Sequence, residues 1–150
     1  MIGWLKGNKI DVWQNAARIG LVISCSGVGY EVQLLPRELS DSQGLEQITL
    51  WIHQIQRDEG FSLFGFIKKE ERNLFRLLIA VNGVGPQIGI SLLETFKSRE
   101  LISAIIDKDI PKLCKAQGIG KRIAERLTVE LKNKLSNQIS HDFITEKESD

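Results

Sequence analysis

The sequence predicts an α+β protein of two domains, a small antiparallel β-barrel followed by an all-α domain built from a repeated helical unit. Three observations carry this. Residues 1–66 break into short runs rich in β-branched and aromatic residues, separated by turn signals. From Lys68 the apolar residues follow a helical period, as in Leu74, Leu77, Leu78 and Val81. The helical half then holds two copies of one pattern, 35 positions apart.

The expected strands are residues 2–5, 9–13, 18–25, 30–34, 48–55 and 62–66. Asn15, Ser26-Gly27, Pro36, Ser40-Asp41-Ser42 and Asp58-Glu59-Gly60 mark the turns between them. A small antiparallel barrel of about five or six strands explains this pattern best. The helical reading runs from residue 68 to 135, with breaks at 82–86, 97–99, 109–111 and 117–120. The domains are therefore 1–66 and 67–135. Residues 136–150 lose the apolar period and read as a polar tail or linker.

Composition excludes several classes. A chain of 150 residues, 42% hydrophobic and 26% charged, suits a folded soluble protein. No apolar run approaches the ~20 residues of a membrane span. The opening MIGWLKGNKIDVW has no long apolar core and no small-residue cleavage site, so the expectation is a cytoplasmic protein without a signal peptide. Cys25 and Cys114 form no CxxC and read as small buried hydrophobes. The net charge of +1 hides a segregation. Residues 1–66 carry −2, 67–111 carry +1, 112–134 carry +5 and 135–150 carry −3. The basic block could meet phosphate.

The repeat carries the functional argument. Its copies are LFRLLIAVNGVGPQIGISLLETF at 74–96 and LCKAQGIGKRIAERLTVELKNKL at 113–135. Gly83-Val84-Gly85 aligns with Gly118-Ile119-Gly120. Glycine permits the tight turn and lets a phosphate approach the main chain. The helix that follows offers unpaired N–H groups and the positive end of its dipole. Pro86 suits the first turn of such a helix, and Lys121 and Arg122 add charge after the second turn. Recognition through main chain and phosphate predicts binding without base specificity.

Other residues yield no catalytic or metal site. Asp58 and Glu59 are neighbours in a turn, with no third acid or His placed to share a metal. His53 and His141 are isolated. Trp4, Trp13 and Trp51 could stack on bases, but their apolar flanks favour packing. Gly118-Ile119-Gly120-Lys121 is not an ATPase phosphate loop, because Lys115 and Arg122 stand where that motif needs Gly and Ser or Thr. A hairpin-type glycosylase would place a catalytic Asp eighteen residues past Gly120, where this sequence has Gln138. Catalytic residues, metals and cofactors are therefore expected to be absent.

The double hairpin resembles the tandem helix-hairpin-helix domain of DNA repair and recombination proteins. The series MIGWLKG, GVGYEV at 27–32, LFGF at 63–66 followed by KKEERNLFRLLI, NGVGP and GIGKRIAERLTVELK resembles the RuvA family in order and spacing. That resemblance covers about residues 1–135. It implies an OB-fold-like barrel, then the tandem helix-hairpin-helix domain. It implies a homotetramer on an opened four-way (Holliday) junction, with an octamer left open, acting in recombination, repair and the SOS response. RuvB, the ATPase that pumps the arms, and RuvC are the implied partners.

Carried onto this sequence, the implied DNA-backbone residues are Asn82, Gly83, Val84, Gly85 and Gln87 in the first copy. In the second they are Gly118, Ile119, Gly120, Lys121, Arg122 and Arg126. The resemblance also implies an acidic pin at the crossover, formed by Arg57, Asp58 and Glu59 ahead of Gly60. Two departures stand out. Gln87 occupies a position that is often basic in the family. Family members also continue into a third domain that contacts RuvB, whereas this sequence stops at Asp150, so coupling to RuvB is not inferred. The rival readings are a helix-hairpin-helix accessory domain of a repair nuclease or glycosylase, and a protein-interaction module whose hairpins merely pack.

Overall fold

The computed structural model of the protein describes residues 1–149, with side chains through Asn137. The chain divides into two compact units, Met1–Leu74 and Phe75–Asp150. The first contains β1 (Trp4–Asn15), β2 (Arg18–Cys25), β3 (Val28–Leu34), α1 (Pro36–Asp41), β4 (Gln47–Arg57) and β5 (Gly60–Phe66). Helix α2 (Lys69–Ile79) begins in the first unit and ends in the second. Then follow α3 (Pro86–Thr95), α4 (Ser98–Ile106), α5 (Ile110–Leu113) and α6 (Lys121–Ser149).

The five strands close in the order β1-β2-β3-β5-β4, with β4 returning to β1. All pairs are antiparallel except β3 with β5. This is the Greek-key arrangement of an OB-type barrel. Side chains alternate as a half-buried strand requires. In β4, Ile48, Leu50 and Ile52 point into the core, while Thr49, Trp51 and His53 point away. The interior is filled by Leu5, Leu21, Ile23, Val32, Leu34 and Leu63 as well. Each such side chain stabilises the fold by roughly 1.5–3 kcal/mol through burial.

The structure departs from the sequence expectation in several places. The runs at 2–5 and 9–13 form one strand, β1, whose register shifts between Lys9 and Asp11. A bulge bends a long strand, so one strand can pair with β4 at its start and β2 along its length. Residues expected as a turn around Pro36 form α1, with Pro36 in its first turn. Residues 136–149 continue α6. Cys25 and Cys114 are free thiols but half-buried.

Polar contacts within the first unit anchor the start of α2. Arg72 donates to the Gly3 carbonyl at 2.9 Å. Lys69 and Arg72 lie over the Trp51 ring, 5.3 and 5.1 Å from its centre. Glu38 and Glu71 are both buried, and Glu71 is paired with Arg37. Burial, then a hydrogen bond and like charge from Glu71, push the Glu38 carboxyl up to about 9; the Ile67 N–H and Arg37 pull the other way. Glu38 is thus a neutral acid at neutral pH. Beside it, Glu71 keeps a buried Oε1 that has no hydrogen-bond partner.

Candidate nucleic-acid interface

The second unit shows why the repeat exists. The two glycine turns match hydrogen bond by hydrogen bond. Val81 N donates to Leu78 O at 3.1 Å, and Ala116 N to Leu113 O at 3.2 Å. Val84 N donates to Val81 O at 3.0 Å, and Ile119 N to Ala116 O at 3.2 Å. The next helices open with Gly89 N to Gly85 O at 3.1 Å and Ala124 N to Gly120 O at 3.0 Å. Each pair is related by the same 35-residue offset. Gly83 and Gly118 turn the chain with φ of 91° and 84°, a region that side-chain-bearing residues rarely adopt. Val84 and Ile119 plug the turns into the core.

Gly85 and Gly120 need a different explanation. Neither has a positive φ, and a Cβ on either would meet nothing within 4 Å. The fold itself does not demand glycine there. A bare backbone facing open space, at the start of a helix, leaves room for a ligand to reach main-chain N–H groups.

Helix termini sharpen the point. α2 and α4 carry acids in their first turns, α1 has there only the neutral Glu38, and α5 is capped by Asp109, which accepts from Lys112 N at 3.3 Å. Among the described helices of nine residues or more, only α3 and α6 have neither an acid nor a side-chain cap. These are the two that follow the glycine turns. α6 even begins with Lys121 and Arg122, which oppose its own dipole. An anion from outside the chain would compensate both helices.

The predicted backbone-binding residues lie on the two turns and on the helices that follow them. Asn82, Gly83, Gly118, Gly120, Lys121, Arg122 and Arg126 are exposed, while Gln87 is half-buried. Lys121 keeps a loose 4.0 Å pairing with Glu125. Arg126 also donates to the Asn82 carbonyl at 3.1 Å, a contact the sequence did not suggest. Ser91, absent from the sequence prediction, donates to the Gln117 carbonyl at 2.7 Å.

Arg57, Asp58 and Glu59 sit at the exposed tip of the β4–β5 hairpin, with Arg57 paired to Gly60 in the ladder. Among the described residues no group of three His, Cys, Asp or Glu could hold a metal. Trp13 donates to the Leu21 carbonyl at 3.2 Å and covers Gly20. Trp51 is engaged by its two cations, whereas Trp4 remains 48% exposed. The side chains of Gln138 and His141 lie outside those described.

A closed OB-type barrel followed by paired helix-hairpin-helix turns defines a two-part class of proteins that offer main-chain donors from repeated motifs. Residues 1–65 match the family described as RuvA N terminal domain, and residues 75–133 match the SAM-like helix-hairpin-helix tandem. The chain belongs to the RuvA family. It is 56% identical over 137 residues to the Holliday junction branch migration complex subunit RuvA of Prochlorococcus marinus (strain MIT 9313), covering 91% of this chain and 61% of that protein. The protein of the same name from Synechococcus sp. (strain CC9311) is 58% identical over 135 residues, covering 90% of this chain and 62% of that one. The chain thus spans about three fifths of the length of these relatives. Among the described residues, no helix is long and apolar enough to cross a membrane.

Proposed function

We propose that this chain binds four-way DNA junctions through the backbone of their arms, as a non-catalytic scaffold. The observation that carries the reading is the pair of matched glycine turns, each leading into a helix left without an acid in its first turn. Phosphates supply the missing negative charge, and Lys121 and Arg122 reinforce the second site. Relatives named as subunits of a Holliday junction branch migration complex support the choice of a junction over plain duplex. Four copies around the crossover would give each arm one tandem of hairpins. The Asp58-Glu59 tips would then face the centre, where carboxylates repel phosphates and disfavour a closed, stacked junction. In this reading the chain performs the DNA-holding part of branch migration, and an ATPase of RuvB type supplies the work.

A competition experiment tests it. A synthetic immobile four-way junction and a linear duplex of the same sequence compete for the chain over a salt series. The junction is expected to win, at a stoichiometry of four chains per junction by native mass measurement. Its affinity should fall steeply with salt as counterions return. Equal affinity for both DNAs overturns the proposal. Incision of the labelled strands with magnesium present would move the protein to the nuclease class instead.

A further inference from the structure

We propose that Ser91 and Arg126 are positioning residues that form a reciprocal brace, holding the two hairpin turns at one spacing so that they act as a single two-point grip. The 35-residue offset places Ser91 on Arg126 and Asn82 on Gln117. Ser91 Oγ, on α3 of the first hairpin, donates to the Gln117 carbonyl in the second turn at 2.7 Å. Arg126 Nη1, on α6 of the second hairpin, donates to the Asn82 carbonyl in the first turn at 3.1 Å. Equivalent positions therefore exchange equivalent bonds across the repeat, although one donor is a short hydroxyl and the other a long guanidinium.

The acceptors explain what the brace does. Asn82 and Gln117 immediately precede Gly83 and Gly118, the residues at positive φ. A peptide unit is planar, so a bond on the Asn82 carbonyl also fixes the direction of the Gly83 N–H, and likewise for Gln117 and Gly118. The brace thus sets both the distance between the turns and the attitude of their peptides. Sliding one hairpin against the other breaks both bonds together. The predicted phosphate contact at Arg126 becomes a bond within the protein that acts on DNA through Asn82.

The DNA part of this inference rests on the function proposed above, and the experiment separates the two. Amide exchange of the free chain needs no DNA. Ser91→Ala is expected to speed exchange several-fold in both turns, 82–84 as well as 117–119. Acceleration confined to 117–119 overturns the reciprocity. With the junction as probe, Ser91→Ala removes no charge, so it should weaken binding three- to tenfold while leaving the salt dependence unchanged. Ser91→Thr, which keeps the hydroxyl, should restore affinity. In a chain already carrying Lys121→Glu and Arg122→Glu, the grip has one point, and Ser91→Ala should change affinity less than twofold. An equal loss in both backgrounds, or none in the parent, overturns the two-point grip. If the parent chain shows no junction preference, the functional reading fails, and the exchange result still judges the brace.

Discussion

The two hairpins share one backbone and differ in charge. Their turns repeat each other bond for bond, with φ of 91° and 84° at the pivotal glycines. The first helix after a turn opens with Pro86, Gln87 and Ile88; the second opens with Lys121, Arg122 and Ile123. Geometry is thus held constant while the electrostatic contribution varies within one chain. Gln87 aligns with Arg122, so the first turn presents main-chain N–H groups and a helix dipole, and the second adds two exposed cations. The difference teaches that the geometry of these turns and the charge beside them are specified separately.

The comparison breaks most completely when the shared element is removed. Gly85→Val with Gly120→Val fills open space that the fold leaves empty. The folded chain should retain its melting temperature, and junction affinity should fall at least tenfold in a binding titration. A large loss of stability instead would show that these glycines serve the fold.

Charge sharpens the contrast next. Lys121→Glu with Arg122→Glu should weaken binding more than Gln87→Glu, and flatten the log–log salt slope by roughly one unit per lost phosphate contact. A Gln87 change that proves as harmful would reverse the ranking of the two sites. The converse substitution, Gln87→Lys, should make the first hairpin resemble the second. It is expected to tighten binding a few-fold and steepen the salt slope by about one unit.

The barrel offers a smaller effect of opposite sign. Asp58→Asn with Glu59→Gln removes the charge at the hairpin tip while keeping its size. Like charges a few ångströms apart in water repel by roughly 1 kcal/mol, so junction binding should hold or tighten. Preference for junction over duplex should narrow. A clear loss of junction binding by the folded variant would end the pin reading.

The last substitution should leave the hairpins untouched. The folded chain raises the Glu38 carboxyl from 4.5 to about 9, so it keeps a proton that the unfolded chain releases. Stability from this site is therefore full below pH 4.5 and drains away as pH rises toward 9. Glu38→Gln mimics the neutral acid and should match the parent in acid, then exceed it by at least ~1 kcal/mol near pH 9. Denaturant melts across that range check this, and parallel melts would remove Glu38 as the titrating group.

The sequence by itself determined what depends on near neighbours. Runs of β-branched and aromatic residues and the turns at Ser26-Gly27 and Asp58-Glu59 are local, so β2 to β5 were legible. The repeat was legible for the same reason. A glycine at positive φ, an apolar plug and a helix start lie within a few residues of one another, as at Gly83, Val84 and Gly85. Tertiary structure decided what depends on distant partners. The merging of two predicted strands into β1 follows from pairing with both β2 and β4. The parallel contact of β3 with β5, and the burial of Glu38 against Glu71, join segments with no common local signal. Ser91 and Arg126 are the clearest case. Their acceptors lie 26 and 44 residues away, and a serine and an arginine at matching positions look unrelated in the sequence. A hydrogen bond depends on where the donor atom ends up, so side chains of different length can do the same work once the backbone is folded.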